Sequence, residues 1–424
     1  MSLLFAYRRY ALPFRAPVRT AHGPWAVREG LIVRTENEAG TIGFGEIAPV
    51  PWFGTETVDE ATAALRSLGG RIDETQIAAL PVRLNCTCHG LRSALADVGQ
   101  LGELAPLADE NTLGQRPGLQ LDAPNPAAPE MSPELESGSH VAAVHDRRTG
   151  SGQFSDVGAH LACAHHAGIS SGRRQAAPLQ NTVGARRDST ESESLSLPIA
   201  ALLPAGREAL AAVAGKTELV FRVFKWKVGV GDNDEELGLL DDLLARLPGG
   251  ARLRLDANGA WDRRRAERWL ERCAERPIEF VEQPIAPSAR GTDDLLLGLE
   301  GDFPTPLALD ESLVHDGDVE RWLAADWPGL FVVKPALLGD PTAVCAQLAS
   351  AKAQVVFSSA LETAVGAQSA LRLAFAWPGE QYALGFGVYS LFADARFDGP
   401  VAAPFVSVTD VNQLNPEAVW NALS

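Results

Sequence analysis

The runs FRVFKWK (221–227), ARLRLD (251–256), PIEFVE (277–282), TPLALD (305–310) and GLFVVK (329–334) decide the fold. Each is short and largely apolar, and each ends in a charge. The ends, Lys227, Asp256, Glu282, Asp310 and Lys334, are separated by 29, 26, 28 and 24 positions. That period accommodates one strand and one helix, which predicts alternating β and α elements closing into a (β/α)8 barrel of parallel strands. Further β-rich runs ending at Leu203, Ser358 and Phe386 complete eight strands, and helical spacing recurs over 232–246, 262–275 and 362–376. The barrel is expected over 197–424, with a C-terminal end able to return to the N-terminal domain.

Upstream, 3–14, 28–36 and 41–49 read as strands, the last two joined by the turn Glu38-Ala39-Gly40. Apolar residues recur at helical spacing from Val58 to Leu68 and from Leu84 to Val98. These features predict an α+β domain over 1–100. Residues 101–196 differ: Phe154 is their only aromatic and Ile169 their only isoleucine. So little apolar area cannot offset ordering entropy, and the stretch reads as an atypical, disordered insertion. His160, His165 and His166 lie near Cys163 within it, but no second ligand pair at zinc-like spacing accompanies them, so solvated linker is the expected reading.

The 424 residues carry a formal charge of -17, which disfavours nucleic acid and anionic membrane surfaces as partners. An anionic small-molecule substrate would need a local positive site. No apolar run is long enough to span a bilayer, and a cytoplasmic protein is expected. Cys86, Cys88, Cys163, Cys273 and Cys345 lack the even spacing of a disulfide framework and read as reduced thiols.

Of 37 basic residues only five are lysines: Lys216, Lys225, Lys227, Lys334 and Lys352. Only lysine offers an amine that can exchange its proton near neutrality. Barrel strand ends meet at the C-terminal rim, so Asp256, Glu282 and Asp310 should converge there with Lys225, Lys227 and Lys334. Three crowded carboxylates call for a hard divalent cation, for which Mg²⁺ is the economical choice. Lys225 and Lys227, two residues apart, share a strand face, and each ammonium should depress the other's pKa. A metal and an amine base together suit abstraction of a proton alpha to a carboxylate. Ser359 and Glu362 fit a capping box at a helix start, and Ser358 and Ser359 could hold a second substrate carboxylate at that helix N-terminus.

The motifs KWK, LDANGAW, FVEQP, LALDES, VVKPALLG and SSALET resemble the muconate-lactonizing subgroup of the enolase superfamily, over 1–100 and 197–424. GFGEIAPVPWFGTETVDEA, LPIAALLPAG and FRVFKWKVGVG are most similar to its o-succinylbenzoate synthase family. The resemblance implies an enolase-like fold, an α+β capping domain plus the barrel, with loops near Thr20–Trp25 and Pro51–Gly54 covering the substrate. It implies Asp256, Glu282 and Asp310 as ligands of Mg²⁺, with Mn²⁺ a substitute. Lys227 is then the acid/base catalyst, Lys225 its partner and Lys334 the stabilising cation. The implied reaction is a hydro-lyase step, dehydrating 2-succinyl-6-hydroxy-2,4-cyclohexadiene-1-carboxylate to 2-succinylbenzoate in menaquinone and phylloquinone biosynthesis.

Two other readings differ in chemistry. An N-acylamino acid racemase or dipeptide epimerase would use Lys227 and Lys334 on opposite faces, but the epimerases carry Asp-x-Asp where this chain reads Gly385-Phe386-Gly387. A non-catalytic binding protein retaining the fold would not need all six rim charges.

Overall fold

A computed structural model describes residues 2–20, 23–99 and 195–423. Apart from Leu195 and Ser196, the expected insertion at 101–196, with Cys163 and its neighbouring histidines, lies outside the described residues.

The N-terminal part runs β1 (Leu3–Thr20), β2 (Gly23–Glu36), β3 (Ile42–Ile47), α1 (Val58–Ser67), β4 (Arg71–Ile72), α2 (Glu74–Ala78) and α3 (Asn85–Gly99). Its strands form an antiparallel sheet in the order β3-β2-β1-β4. The first two strands extend beyond the expected 3–14 and 28–36. Their pairing shifts register between Pro13 and Val18 and then resumes at Val18↔Trp25, which carries the hairpin onward to its tip. Thr57 with Glu60, and Asp73 with Gln76, form capping boxes at α1 and α2. At the start of α3 the buried Glu56 accepts from the amides of Cys86 (3.3 Å) and Thr87 (2.6 Å).

The second part is β5 (Ser196–Pro198), β6 (Ala201–Leu203), α4 (Glu208–Glu218), β7 (Val223–Lys227), α5 (Asn233–Leu244), β8 (Arg252–Asp256), α6 (Arg263–Cys273), β9 (Ile278–Glu282) and α7 (Thr292–Asp302). It continues through β10 (Leu307–Leu309), α8 (Asp316–Ala324), β11 (Leu330–Val333), α9 (Pro341–Ser350), β12 (Gln354–Phe357) and α10 (Ala364–Phe375). The chain ends with β13 (Phe405–Ser407), α11 (Val408–Asn412) and α12 (Pro416–Ala422). Strands β6 to β12 form one parallel sheet in chain order, and β13 pairs with β5 antiparallel.

The eighth stave, expected to end at Phe386, is reduced to single bridges: Ile199↔Leu384 on one side and Ser358↔Gly385 on the other. The Leu384 amide donates to Pro198 (2.7 Å) and the Gly385 amide to Phe357 (2.8 Å), so the ring closes through a few bonds. Helices bury one face against it. In α6, Ala266, Trp269, Leu270 and Cys273 point inward, and Trp269 stacks on Trp261 at 5.0 Å. Cys86, Cys88, Cys273 and Cys345 are buried free thiols. No helix among the described residues is long and apolar enough to cross a membrane.

A buried polar joint ties the two parts together. The carboxylate of Glu46 on β3 accepts from the amides of Thr363 (3.0 Å) and Gly366 (2.9 Å), from the Thr363 hydroxyl (2.6 Å) and from Tyr10 (2.5 Å). A side chain from the first part thus caps the N-terminus of α10. Arg28 on β2, also buried, donates to the carbonyls of Ala48, Pro49 and Leu361. At the far end Arg8 donates to the Trp420 carbonyl (2.6 Å) and lies 4.4 Å from the Trp420 ring, so α12 packs on the N-terminal sheet.

Two expected outcomes follow from this packing. A Cβ at Gly45 would stand 1.9 Å from the Gly90 carbonyl oxygen, because α3 sits directly on β3. Gly45→Ala should therefore cost about 3 kcal/mol or more, read as a lowered Cm in urea denaturation. Burial pushes the Glu362 carboxyl up to about 7, so the folded state keeps a proton that the unfolded chain has released. That group's stabilising share is full below the ordinary glutamate pKa and is lost as pH rises through about 7. Glu362→Gln should flatten the fall in melting temperature between about pH 5 and pH 8, which a pH series of thermal melts would check.

Candidate active site

The charged strand ends meet at one rim because the strands are parallel and in register. Lys227 pairs with Asp256, and Asp256 with Glu282. Ala308 is the partner of Glu282, which puts Asp310 two residues further out on the next strand. Lys334 lies one residue past the Val333↔Phe357 pair. Lys225, Lys227, Asp256, Asp310, Lys334, Ser358 and Ser359 all line one cavity of about 610 Å³. Glu282 is buried beneath it.

The electrostatics are those of a crowded, buried site. The Lys225 ammonium bridges Asp256 (2.9 Å) and Glu282 (2.7 Å), and Lys334 pairs with Asp310. Burial disfavours the charge on Lys225, but Asp256 and Glu282 outweigh it and hold the lysine above its ordinary range. At Lys225 the expected depression by its neighbouring lysine is thus overridden by the carboxylates it touches. Burial, and then the charge on Asp256, drive the Glu282 carboxyl well above the usual carboxylate range. Asp310, although buried, is held low by Lys334 and Lys225.

Among the described residues no three carboxylate, histidine or cysteine side chains already close on a single point. The ammonium groups stand among the carboxylates instead. The donor set nevertheless fits a hard divalent cation: three carboxylates on consecutive strands, one of them driven toward protonation by burial and then by its neighbour's charge. To take such an ion Asp310 would give up its contact with Lys334.

Residues that sequence reading did not single out complete the rim. The Asn258 amide N–H donates to Asp256 (3.2 Å), and its side chain donates to Glu311 (2.9 Å). Three successive amides after Lys227, those of Gly229, Val230 and Gly231, wrap the buried carboxylate of Glu236 at 2.7, 3.1 and 2.9 Å. The LDANGAW and LALDES motifs contained Asn258 and Glu311, but nothing in their spacing revealed the contact.

The turn at Ser358 and Ser359 differs from expectation. Its helix does not start at a box formed by Ser359 and Glu362. The N-cap of α10 is Thr363, whose side chain accepts from the Val365 amide. Leu361 takes a φ of 61°, which turns the chain away from helix, and Glu362 folds back to the Ala360 amide. The helix N-terminus is filled by Glu46 of the other domain, so it is not open to a substrate anion. Ser359 spends its amide on Gly385 (3.2 Å) and accepts from Leu361 (2.9 Å), and the Ser358 hydroxyl donates to the Gly385 carbonyl (3.5 Å).

The N-terminal domain roofs the cavity. Val18, Thr20, Trp25, Val50 and Pro51–Gly54 line it, Trp25 meets Trp52 edge to face at 4.6 Å, and the Lys334 ammonium lies 5.3 Å from the Phe53 ring. Opposite, Gly385 and Gly387 present bare backbone. A Cβ at Gly385 would lie 2.3 Å from the Ser358 hydroxyl, and one at Gly387 2.3 Å from the Ala200 carbonyl oxygen.

Comparison with known proteins bears on this arrangement. Residues 206–407 match the family model described as enolase C-terminal domain-like, and residues 4–98 match that of the MenC N-terminal domain. The o-succinylbenzoate synthase of Thermosynechococcus vestitus is 32% identical over 387 residues, 90% of this chain and 91% of the relative. That of Thermobifida fusca is 34% identical over 150 residues, 35% of this chain and 46% of the relative. The crystal structure of the Thermosynechococcus elongatus BP-1 o-succinylbenzoate synthase, complexed with Mg in the active site, aligns with a TM-score of 0.68 and 30% identity, covering 99% of this chain and 100% of that one. The L-Ala-D/L-Glu epimerase of Bacillus subtilis, at 17% identity and a TM-score of 0.66 over 96% of each chain, shares the fold. With its parallel barrel, its capping sheet and a relative matched along nearly its whole length, the chain belongs to the o-succinylbenzoate synthase family of the enolase superfamily.

Proposed function

We propose that this protein is a Mg²⁺-dependent hydro-lyase that dehydrates 2-succinyl-6-hydroxy-2,4-cyclohexadiene-1-carboxylate to 2-succinylbenzoate, a step toward menaquinone or phylloquinone. The observation that carries the reading is the lysine and carboxylate rim inside a roofed cavity, in a chain of this family. Asp256, Glu282 and Asp310 would hold the ion, with Mn²⁺ as a substitute, and Lys225 stays beside Asp256 and Glu282 to balance their charge. The metal, when bound, supplies positive charge for the substrate carboxylate and for the negative charge that develops on its oxygens.

Lys227, as the neutral amine, takes the proton alpha to the carboxylate, and the electron pair passes toward the carboxylate oxygens. The carbon–oxygen bond to the ring hydroxyl then breaks, the electron pair returns to make the ring aromatic, and the Lys227 ammonium returns its proton to the departing hydroxide as water. Lys334 keeps its cation against the reacting ring from the other side of the rim. Ser358 and Ser359 turn their hydroxyls to the succinyl carboxylate, Ser358 giving up its 3.5 Å bond to the Gly385 carbonyl. The aromatic roof of Trp25, Trp52 and Phe53 excludes water, which strengthens each of these charge interactions. The bare wall at Gly385 and Gly387 has no room for the carboxylates an ammonium-bearing dipeptide would need, which favours dehydration over dipeptide epimerisation. Four buried free thiols accord with a reducing, cytoplasmic setting.

Metal dependence is checked directly: excess chelator should abolish formation of the aromatic product followed by absorbance, and added Mg²⁺ should restore it. Full turnover in chelator would refute the metal's role. The lysines are separated by charge-preserving variants. Lys227→Ala and Lys227→Arg should both lower kcat by roughly 10²–10⁴-fold with metal binding retained, since a guanidinium cannot act as base. Lys334→Arg should keep more activity than Lys334→Ala, because it preserves the cation. A racemase that uses both lysines as bases would instead lose its reaction in either arginine variant.

A further inference from the structure

We infer that Gln283 sets the spacing of Glu282 and Asp310, and thereby the affinity of the carboxylate rim for its divalent cation. The inference rests on the metal reading proposed above. Gln283 directly follows Glu282, is wholly buried, and holds a φ of 36°, unusual for a residue with a side chain. Its amide is saturated. The Oε1 accepts from the Asp310 amide (2.9 Å) and the Ser312 amide (3.1 Å), while the Nε2 donates to the Ile285 carbonyl (2.9 Å) and the Ser312 hydroxyl (2.8 Å). All four hydrogen-bonding positions of a primary amide are thus used, which also fixes which end is oxygen.

The backbone of Gln283 works in the same direction. Its N–H donates to Ala308 on β10 (2.8 Å), and its carbonyl accepts from Gly259 (2.6 Å), just beyond Asp256. This one residue, next to Glu282 in the chain, is therefore hydrogen-bonded both to the end of β10 and to the turn that follows Asp256. The need is structural: β10 ends at Leu309, and past that point the Asp310 amide has no carbonyl of β9 opposite it. The Gln283 side chain takes the place of the missing ladder partner. Without it two buried amides would lack acceptors, and Asp310 would be free to drift from Glu282. Partners that orient the ligands of a metal generally govern how tightly it is held.

Protein freed of metal by chelation and dialysis would be titrated calorimetrically with Mg²⁺ as wild type, as Gln283→Met, which keeps the volume but removes every hydrogen bond of the amide, and as Ser312→Ala, which removes one. Thermal melts would run alongside. Gln283→Met should bind Mg²⁺ about 10–100-fold more weakly, Ser312→Ala a few-fold more weakly, and turnover of Gln283→Met should recover as Mg²⁺ is raised. A folded Gln283→Met with wild-type Mg²⁺ affinity, even with a lowered melting temperature, would overturn the inference and leave a purely structural glutamine. If Gln283→Met does not fold, unchanged affinity in Ser312→Ala overturns it. Wild type that takes up no Mg²⁺ would refute the metal reading itself, and the inference with it.

Discussion

Burying like charges at one rim is the constraint to which much of this structure answers. Asp256, Glu282 and Asp310 come together because parallel strands with a common register place their last residues at one end of the barrel. Carboxylates removed from water must find positive charge, and the scaffold supplies it with Lys225 across Asp256 and Glu282 and Lys334 on Asp310. The Glu282 carboxyl, crowded by burial and by Asp256, still stands well above its ordinary range.

The same rule, that a buried charge must be matched, joins the domains. The N-terminus of α10 carries partial positive charge and unpaired amides, and Glu46 from β3 meets both. Arg28 meets carbonyls on both sides of the boundary, among them that of Leu361 in the cavity wall. The cap is thereby fixed over the mouth by desolvated polar contacts, with its aromatic residues facing the site. Through Arg28 the wall at Ser358–Leu361 is held by a residue more than three hundred positions upstream in the chain.

Much of the architecture was legible because it rests on local periodicity. Apolar runs ending in charge marked β7 to β11, and their spacing marked the helices between them. α1, α3, α5 and α6 fall close to the helical stretches at 58–68, 84–98, 232–246 and 262–275. The extra length of the β1 and β2 hairpin was hidden by Pro13 and Pro17, which break the apolar alternation, although the pairing resumes beyond them. The eighth stave was readable only as a weak run, since its pairing amounts to isolated bridges.

The amino-acid order alone determined the barrel, the cap and the five charged strand ends with Lys225 beside them, because each depends on residues close in sequence and on a repeat that strand geometry dictates. It could not show that Glu46 fills the α10 N-terminus, that Glu236 gathers the amides after Lys227, or that Gln283 stands in for a missing ladder partner. Those contacts join positions on separate elements, and a short motif such as SSALE is compatible with more than one local turn. Which turn forms was decided by tertiary structure, where a buried amide or carboxylate takes whichever partner the packing brings within hydrogen-bonding distance.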